Sequence, residues 1–241
     1  MQRLYSRIAN RNAARVSEKI FTVSDFSKSR IHELLRVQKD RIVVTYNGIS
    51  ESFNTDHLKT FAEIKKKYNL PDRYIMNLST IEPRKNLPFL LECFDSISEE
   101  VDYDIVLVGR KGWKMDELLN SISSNERVHL TGFVEDDEVV EIYKHAMCFV
   151  FPSVYEGFGI PPIEALAMGT PVISSDSSCL KEVLRDQAVF FKNNDTEELK
   201  KLLLKLPEMS RSMPRQLDSY QKEHFSFQHS AQIILSTIMQ Q

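Results

Sequence analysis

Glycine is scarce in this chain. Seven occur among 241 residues, where average usage of ~7% would give roughly seventeen. Glycines this rare are expected where the backbone requires them, so their positions carry information. Cysteine is scarcer still, and Cys93, Cys148 and Cys179 lie far apart. That spacing excludes a disulfide framework or a zinc site, both of which need pairs at short separation. Buried free thiols in a reducing compartment are the expectation. A basic surplus is also missing: 31 basic side chains face 34 acidic ones, a net charge of −3. The electrostatic footprint of a nucleic-acid binder is therefore excluded. No apolar run approaches the ~18 residues of a membrane span. The basic N-terminus, MQRLYSRIANRNAARVSEKI, lacks the apolar centre of a signal peptide and reads as an amphipathic helix. A cytoplasmic location follows as the expectation.

What is present is ordinary globular composition, 42% hydrophobic and 27% charged, with length for one to two domains at ~150 residues each. Short β-branched runs alternate with longer helical patterns. Strands are expected over 20–23, 41–45, 74–78, 104–108, 128–130, 148–151, 172–174 and 189–191. Helices are expected over 25–37, behind a Ser24 cap, and over 61–68, 87–97, 113–122, 138–145, 162–168 and 178–184, with a helical remainder. Continuous apolar strands separated by helices indicate an α/β domain, a doubly wound parallel sheet covered on both faces. The main domain is expected over residues 73–222, after a stretch at 1–50 and a polar crossing at 51–72, with a closing helix at 223–241. Ligands bind such sheets beyond the carboxyl ends of the strands.

The glycines fall there. Gly109 follows DIVLV, Gly132 follows VHL, and Gly157 and Gly159 follow CFVF, while Gly169 closes the 162–168 helix. In SVYEGFGIPPIE (residues 153–164), two glycines precede a proline-initiated helix whose free N–H groups favour an anion. Glu156 and Glu164 flank that turn, and fixed carboxylates are good acceptors for sugar hydroxyls. Either acid alone also has a plain explanation, a solvated loop residue or a glutamate favoured by the helix dipole. In STIEPRKN (residues 79–86), Asn86 reads as a helix cap, which places Arg84 and Lys85 at a helix N-terminus. Cations are mildly unfavourable there, and a pyrophosphate held by both side chains would resolve the conflict. Two exposed surface charges are the alternative. Phe133 and Val134, after the 128–130 strand, are candidates for a nucleobase wall; Trp113 reads as a packing residue. Sequence signatures of P-loop, dinucleotide, zincin and serine-hydrolase sites are absent. The six histidines lack ligand spacing; His224 and His229, five apart in a helical tail, are not expected to share a face.

EGFGIPPIEALAMGTPVI, with its E-x7-E form, resembles the retaining glycosyltransferases of family 4 with the GT-B fold. STIEPRKNL resembles that family's donor-phosphate loop, VGRKGW and LTGFVEDDEV its intervening loops, and VSDFSKSRI and RIVVTYNGI the end of its N-terminal domain. FSFQHSAQIIL resembles its closing helix. The resemblance implies a Rossmann-like donor domain with a remnant of the acceptor-side domain. It implies that Arg84 and Lys85 bind the diphosphate of a nucleotide-sugar in place of a metal, that Glu156 faces the donor sugar, and that Glu164 holds the ribose hydroxyls. Thr80, Gly109, Phe133 and Val134 would line the rest of the donor site, with Gly157, Phe158, Gly159 and Ile160 cradling sugar and phosphate. No cofactor or metal is implied. Glycosyl transfer to a saccharide or lipid-linked acceptor in polysaccharide biosynthesis is the implied activity. The forms GRKGW and EPRKN lean towards a mannosyl donor such as GDP-mannose. A separate N-terminal-domain polypeptide or self-association would complete the enzyme, and membrane contact would come through the acceptor at the inner face. A non-catalytic nucleotide-sugar-binding or scaffold protein is the competing reading.

Overall fold

A computed structural model describes residues 2–49, 59–80, 82–110 and 125–240. The helix expected over 113–122, including Trp113, lies outside the described residues. The chain forms two compact units, one of residues 1–48 with 219–241 and one of residues 49–218.

In the first unit, α1 (Gln2–Val16), β1 (Ile20–Thr22), α2 (Asp25–Leu35) and β2 (Ile42–Val44) form a βαβ arrangement after a leading helix. The two strands pair in parallel, Ile20 opposite Ile42 and Thr22 opposite Val44. Ser24 caps α2 as expected, its hydroxyl accepting the Ser27 N–H at 3.1 Å. The helix stops two residues before the expected end because Arg36 turns left-handed (φ 56°). Ala14, Val37 and Ile42 form a small core with Ile20, Ile31 and Leu35.

The second unit carries the larger sheet. Its strands are β3 (Tyr74–Leu78), β4 (Asp104–Val108), β5 (Val128–Gly132), β6 (Cys148–Phe151), β7 (Val172–Ser175) and β8 (Ala188–Phe191). They are all parallel, in the order β5-β4-β3-β6-β7-β8. This is the doubly wound α/β fold expected from the continuous apolar strands. Its helices are α3 (Phe61–Tyr68), α4 (Leu87–Asp95), α5 (Asp136–His145), α6 (Ile160–Ala167), α7 (Leu180–Leu184) and α8 (Thr196–Met209). Alternate strand residues serve opposite faces. Ile75, Ile105, Val150 and Ile173 pack with Leu90 and Phe94 of α4 and Leu199 and Leu203 of α8. On the other face the Tyr74 hydroxyl donates to the Ile142 carbonyl of α5 at 2.8 Å, and Phe149 meets Tyr143 with ring centroids 5.6 Å apart. All three cysteines are buried and unpaired; burial pushes the Cys93 thiol up to about 11 and Cys179 to about 12.

Several expected boundaries move, each for a local reason. The helix expected at 162 starts at Ile160 behind a left-handed Gly159, because Pro161 and Pro162 occupy positions whose N–H groups have no intrahelical partner. Glu164 consequently sits beyond the first turn. Met168 and a left-handed Gly169 (φ 83°) then close the helix. Asn86 does not cap α4 with its side chain: its own backbone is left-handed (φ 55°), and its amide donates to Asn194 Oδ1 at 2.9 Å. Arg84 and Lys85 lie in a separate 3-10 turn, Pro83–Lys85, ahead of α4. The tail is not one helix. It breaks at residues 225–226 into α9 (Ser219–His224) and α10 (Phe227–Met239). That break brings the His224 and His229 rings to 4.8 Å, so the expectation that they face apart fails.

Candidate functional site

The sheet order reverses between β3 and β6, which are hydrogen-bonded neighbours with helices departing to opposite sides. A crevice opens at such a switch point beyond the carboxyl ends of the strands. The two segments singled out by sequence, 79–86 and 153–164, both begin there. Asn77, buried near the end of β3, ties the strands together: its amide donates to the Val150 carbonyl and its carbonyl oxygen accepts the Ser79 hydroxyl, each at 2.8 Å. The loops are joined as well. The Val154 N–H donates to the Arg84 carbonyl at 3.0 Å, and the Arg84 guanidinium to the Tyr155 carbonyl at 3.2 Å.

Arg84, Lys85 and Glu156 therefore meet, although 71 residues separate Lys85 from Glu156. Lys85 Nζ lies 2.7 Å from Glu156 Oε1, and Arg84 Nη1 lies 2.5 Å from Oε2. Lys85 and Glu156 are both buried. Glu82 adds a second carboxylate on the other side of Arg84, 2.7 Å from Nη2. The dipole conflict inferred for the two cations is thus met in this structure by protein anions. From behind, Glu156 is held by the loop after β7. Its N–H donates to the Ser178 hydroxyl at 2.9 Å, and its carbonyl accepts the Cys179 thiol at 3.3 Å. The hydroxyls of Ser175 and Ser177 both donate to the Ser153 carbonyl at 2.6 Å. Ser178 adopts φ 53° to make this possible.

Thr80, Gly109, Phe133 and Val134 gather on a second feature, a cavity of about 290 Å³ also lined by Arg110 and Asp136. Gly109 fits because a Cβ there would lie 2.0 Å from the Ser79 carbonyl oxygen, and its φ of 141° disfavours any side chain. Its N–H donates to the Gly132 carbonyl at 2.9 Å, aligning the ends of β4 and β5. Phe133 is half exposed beneath the Arg110 guanidinium, 4.1 Å from its ring centroid, whereas Val134 is buried. The same loop that sends Thr80 to this cavity carries Arg84 and Lys85 to the ion cluster.

Gly157 and Gly159 lie in the loop leading to α6, Phe158 is buried between them in sequence, and Ile160 is partly exposed at the helix start. Glu164 is not part of the ion cluster. Its carboxylate lies 3.2 Å from the Tyr143 hydroxyl of α5. Burial pushes its pKa up to about 7, opposed by that hydrogen bond and aided by the charge of Asp136. Among the described residues, no three His, Cys, Asp or Glu side chains cluster as metal ligands. Tyr143 and the Ser177–Cys179 support were not found by sequence reasoning.

The model for glycosyl transferases group 1 matches residues 60–224. The chain belongs to this family. The matched span contains the switch point, the ion cluster and the cavity. Among curated relatives of this chain, O-antigen chain mannosyltransferase B of Escherichia coli is 34% identical over 186 residues, covering 75% of this chain and 49% of that protein. The serotype-specific mannosyltransferase WbdA of the same species is 29% identical, covering 78% of this chain and 24% of that protein. This chain thus spans half or less of the length of these relatives. Among solved structures, Anabaena Alr3699/HepE in complex with UDP-glucose superposes with a TM-score of 0.83 at 16% identity, covering 98% of this chain and 67% of that one. That likeness bears out the Rossmann-like fold expected for part of a GT-B glycosyltransferase. Among the described residues, no helix is long and apolar enough to cross a membrane.

Proposed function

We propose that this glycosyl transferase chain binds a nucleoside-diphosphate sugar at the β3/β6 switch point and supplies the donor side of mannosyl transfer, with GDP-mannose as donor, in polysaccharide biosynthesis. The observation that carries this reading is the convergence of Arg84 and Lys85 at the switch point, on the loop that also lines a base-sized cavity. The mannosyltransferase names of the relatives support the sugar, and the UDP-glucose held by the Anabaena structure supports the ligand class.

In this reading the base enters the cavity beside Phe133 and Val134, and the ribose hydroxyls donate to Glu164. The diphosphate meets Arg84, whose planar fork suits phosphate oxygens, and Lys85, a point charge. When the anomeric C–O bond breaks, its electron pair leaves with the diphosphate. The two cations stabilise that developing charge, a contribution whose removal typically costs about 10²–10³ in rate. Transfer proceeds with retention and without a metal. The acceptor is a saccharide or lipid-linked saccharide bound by a further domain, supplied by a partner polypeptide or a second copy, at the inner face of the membrane.

Titration of the chain with a panel of nucleotide-sugars tests the reading. GDP-mannose is expected to bind and to raise the melting temperature, and binding of none of the panel would refute it.

A further inference from the structure

The cation pair of the donor site already holds an anion. Glu156 and Lys85 have only 8% and 9% of their side chains exposed, and buried charges persist only when paired. Glu156 reaches Lys85 with one oxygen and Arg84 with the other, at 2.7 and 2.5 Å. Two bound anionic oxygens on one lysine and one arginine are what a diphosphate would present. With Glu82 on the far side of Arg84, two cations face two carboxylates and the cluster is balanced. An incoming diphosphate would therefore meet a site with no net positive charge.

The backbone of Glu156 does not yield easily. Ser178 and Cys179 hold its N–H and carbonyl, and the preceding residues are tied to Arg84. Only the carboxylate arm is left to move.

We propose that Glu156 is an internal competitor for the diphosphate: it occupies Arg84 and Lys85 in the empty site, turns away when a donor binds, and returns to help expel the free nucleoside diphosphate. The inference rests on the donor-site reading above. An intact nucleotide-sugar offers the displaced carboxylate hydroxyl donors in exchange for its lost cations. A free nucleoside diphosphate lacks the sugar hydroxyls, and in this reading its ribose hydroxyls are committed to Glu164, so the displaced carboxylate is left buried without a partner. Glu156 accordingly discriminates against the product of transfer. The difference in charge between Glu156 and a glutamine of the same shape isolates this effect.

Calorimetric titration of the full chain with GDP and with inorganic pyrophosphate tests it, using wild type, Glu156→Gln, Glu156→Asp, the Arg84→Ala/Lys85→Ala double variant and each Glu156 substitution combined with that double variant. Glu156→Gln is expected to bind both ligands at least about tenfold more tightly than wild type, reflecting removal of a buried, charge-assisted competitor. The shorter Glu156→Asp is expected to show a smaller gain, and it carries the test if the glutamine variant fails to fold. Both gains should disappear when the two cations are also removed. If wild type binds GDP through the cations but Glu156→Gln and Glu156→Asp bind it equally or more weakly, the competitor role is refuted and the donor site stands. If wild type and every Glu156 variant fail to bind GDP and pyrophosphate, the donor-site reading falls and the competitor role falls with it.

Discussion

The hydroxyl of Tyr143 on α5 lies 3.2 Å from the carboxylate of Glu164 on α6, in surroundings that hold Glu164 at a pKa of about 7. Burial is the main cause, and the hydrogen bond offsets it only in part. Because the folded pKa exceeds the ordinary value of 4.5, the associated stability is fully present below about pH 4.5. It is lost as the pH rises through about 7. Thermal melts of the ligand-free chain should therefore show stability declining between about pH 4.5 and 7. Glu164→Gln should flatten that decline, removing a loss of at most about 3 kcal/mol. An unchanged slope would show that Glu164 ionises without cost.

If the ribose hydroxyls donate to Glu164, their removal and that of the carboxylate should not add. Glu164→Gln is expected to weaken GDP binding about tenfold. Binding of 2′,3′-dideoxy-GDP should start weaker and respond little to the same substitution. Equal losses for both ligands would place the ribose elsewhere.

Glu138 presents the opposite electrostatic case. Its carboxylate is fully buried, yet Lys59 at 2.5 Å, Lys67 at 2.8 Å and Tyr68 at 2.5 Å hold it down to about 2 against the desolvation that would raise it. Its stabilising contribution is present above the ordinary value of 4.5 and is lost as the pH falls through about 2. Removing both lysines, Lys59→Ala with Lys67→Ala, should move acid unfolding to higher pH by about one unit or more. Circular dichroism followed during an acid titration checks this, and an unmoved midpoint would contradict it.

The glycines at the ends of β4 and β5 should respond differently to alanine. At Gly109 a Cβ meets the Ser79 carbonyl oxygen at 2.0 Å, whereas at Gly132 nothing lies within 4 Å, although its φ is also positive at 71°. Gly132→Ala is expected to cost about 1–2 kcal/mol in urea melts, the strain of the left-handed backbone. Gly109→Ala should cost about 3 kcal/mol or more, through backbone collision as well as strain. Equal costs would mean that the Ser79 loop gives way freely.

Local signals made much of this architecture legible. The buried strands CFVF and DIVLV announce themselves by unbroken apolar runs, and the rare glycines mark the ends of β4, β5 and α6. The meeting of Arg84 and Lys85 with Glu156 follows once two parallel strands are neighbours. The carboxylate's occupation of both cations did not show in the sequence, since it depends on rotamers across two loops. Tyr143 was hidden because a tyrosine on an amphipathic helix looks like core, and its hydroxyl meets Glu164 only once α5 and α6 are brought together. Ser178 and Cys179 read as the start of a helix; their support of Glu156 arises from a left-handed residue with no side-chain signature. Glu138 likewise looked like an ordinary helical acid, because its lysines lie on α3 and just before it, about seventy residues earlier in the chain.

The central claim is that Arg84 and Lys85 form a diphosphate site. Isothermal titration of GDP into wild-type chain and into the Arg84→Ala/Lys85→Ala variant tests it most directly. Saturable binding by wild type, weakened by about a hundredfold or more in the double variant, is the predicted result, since two charge-assisted contacts are lost. Equal affinity in the two proteins, or no binding of GDP by a folded wild-type chain, would contradict it.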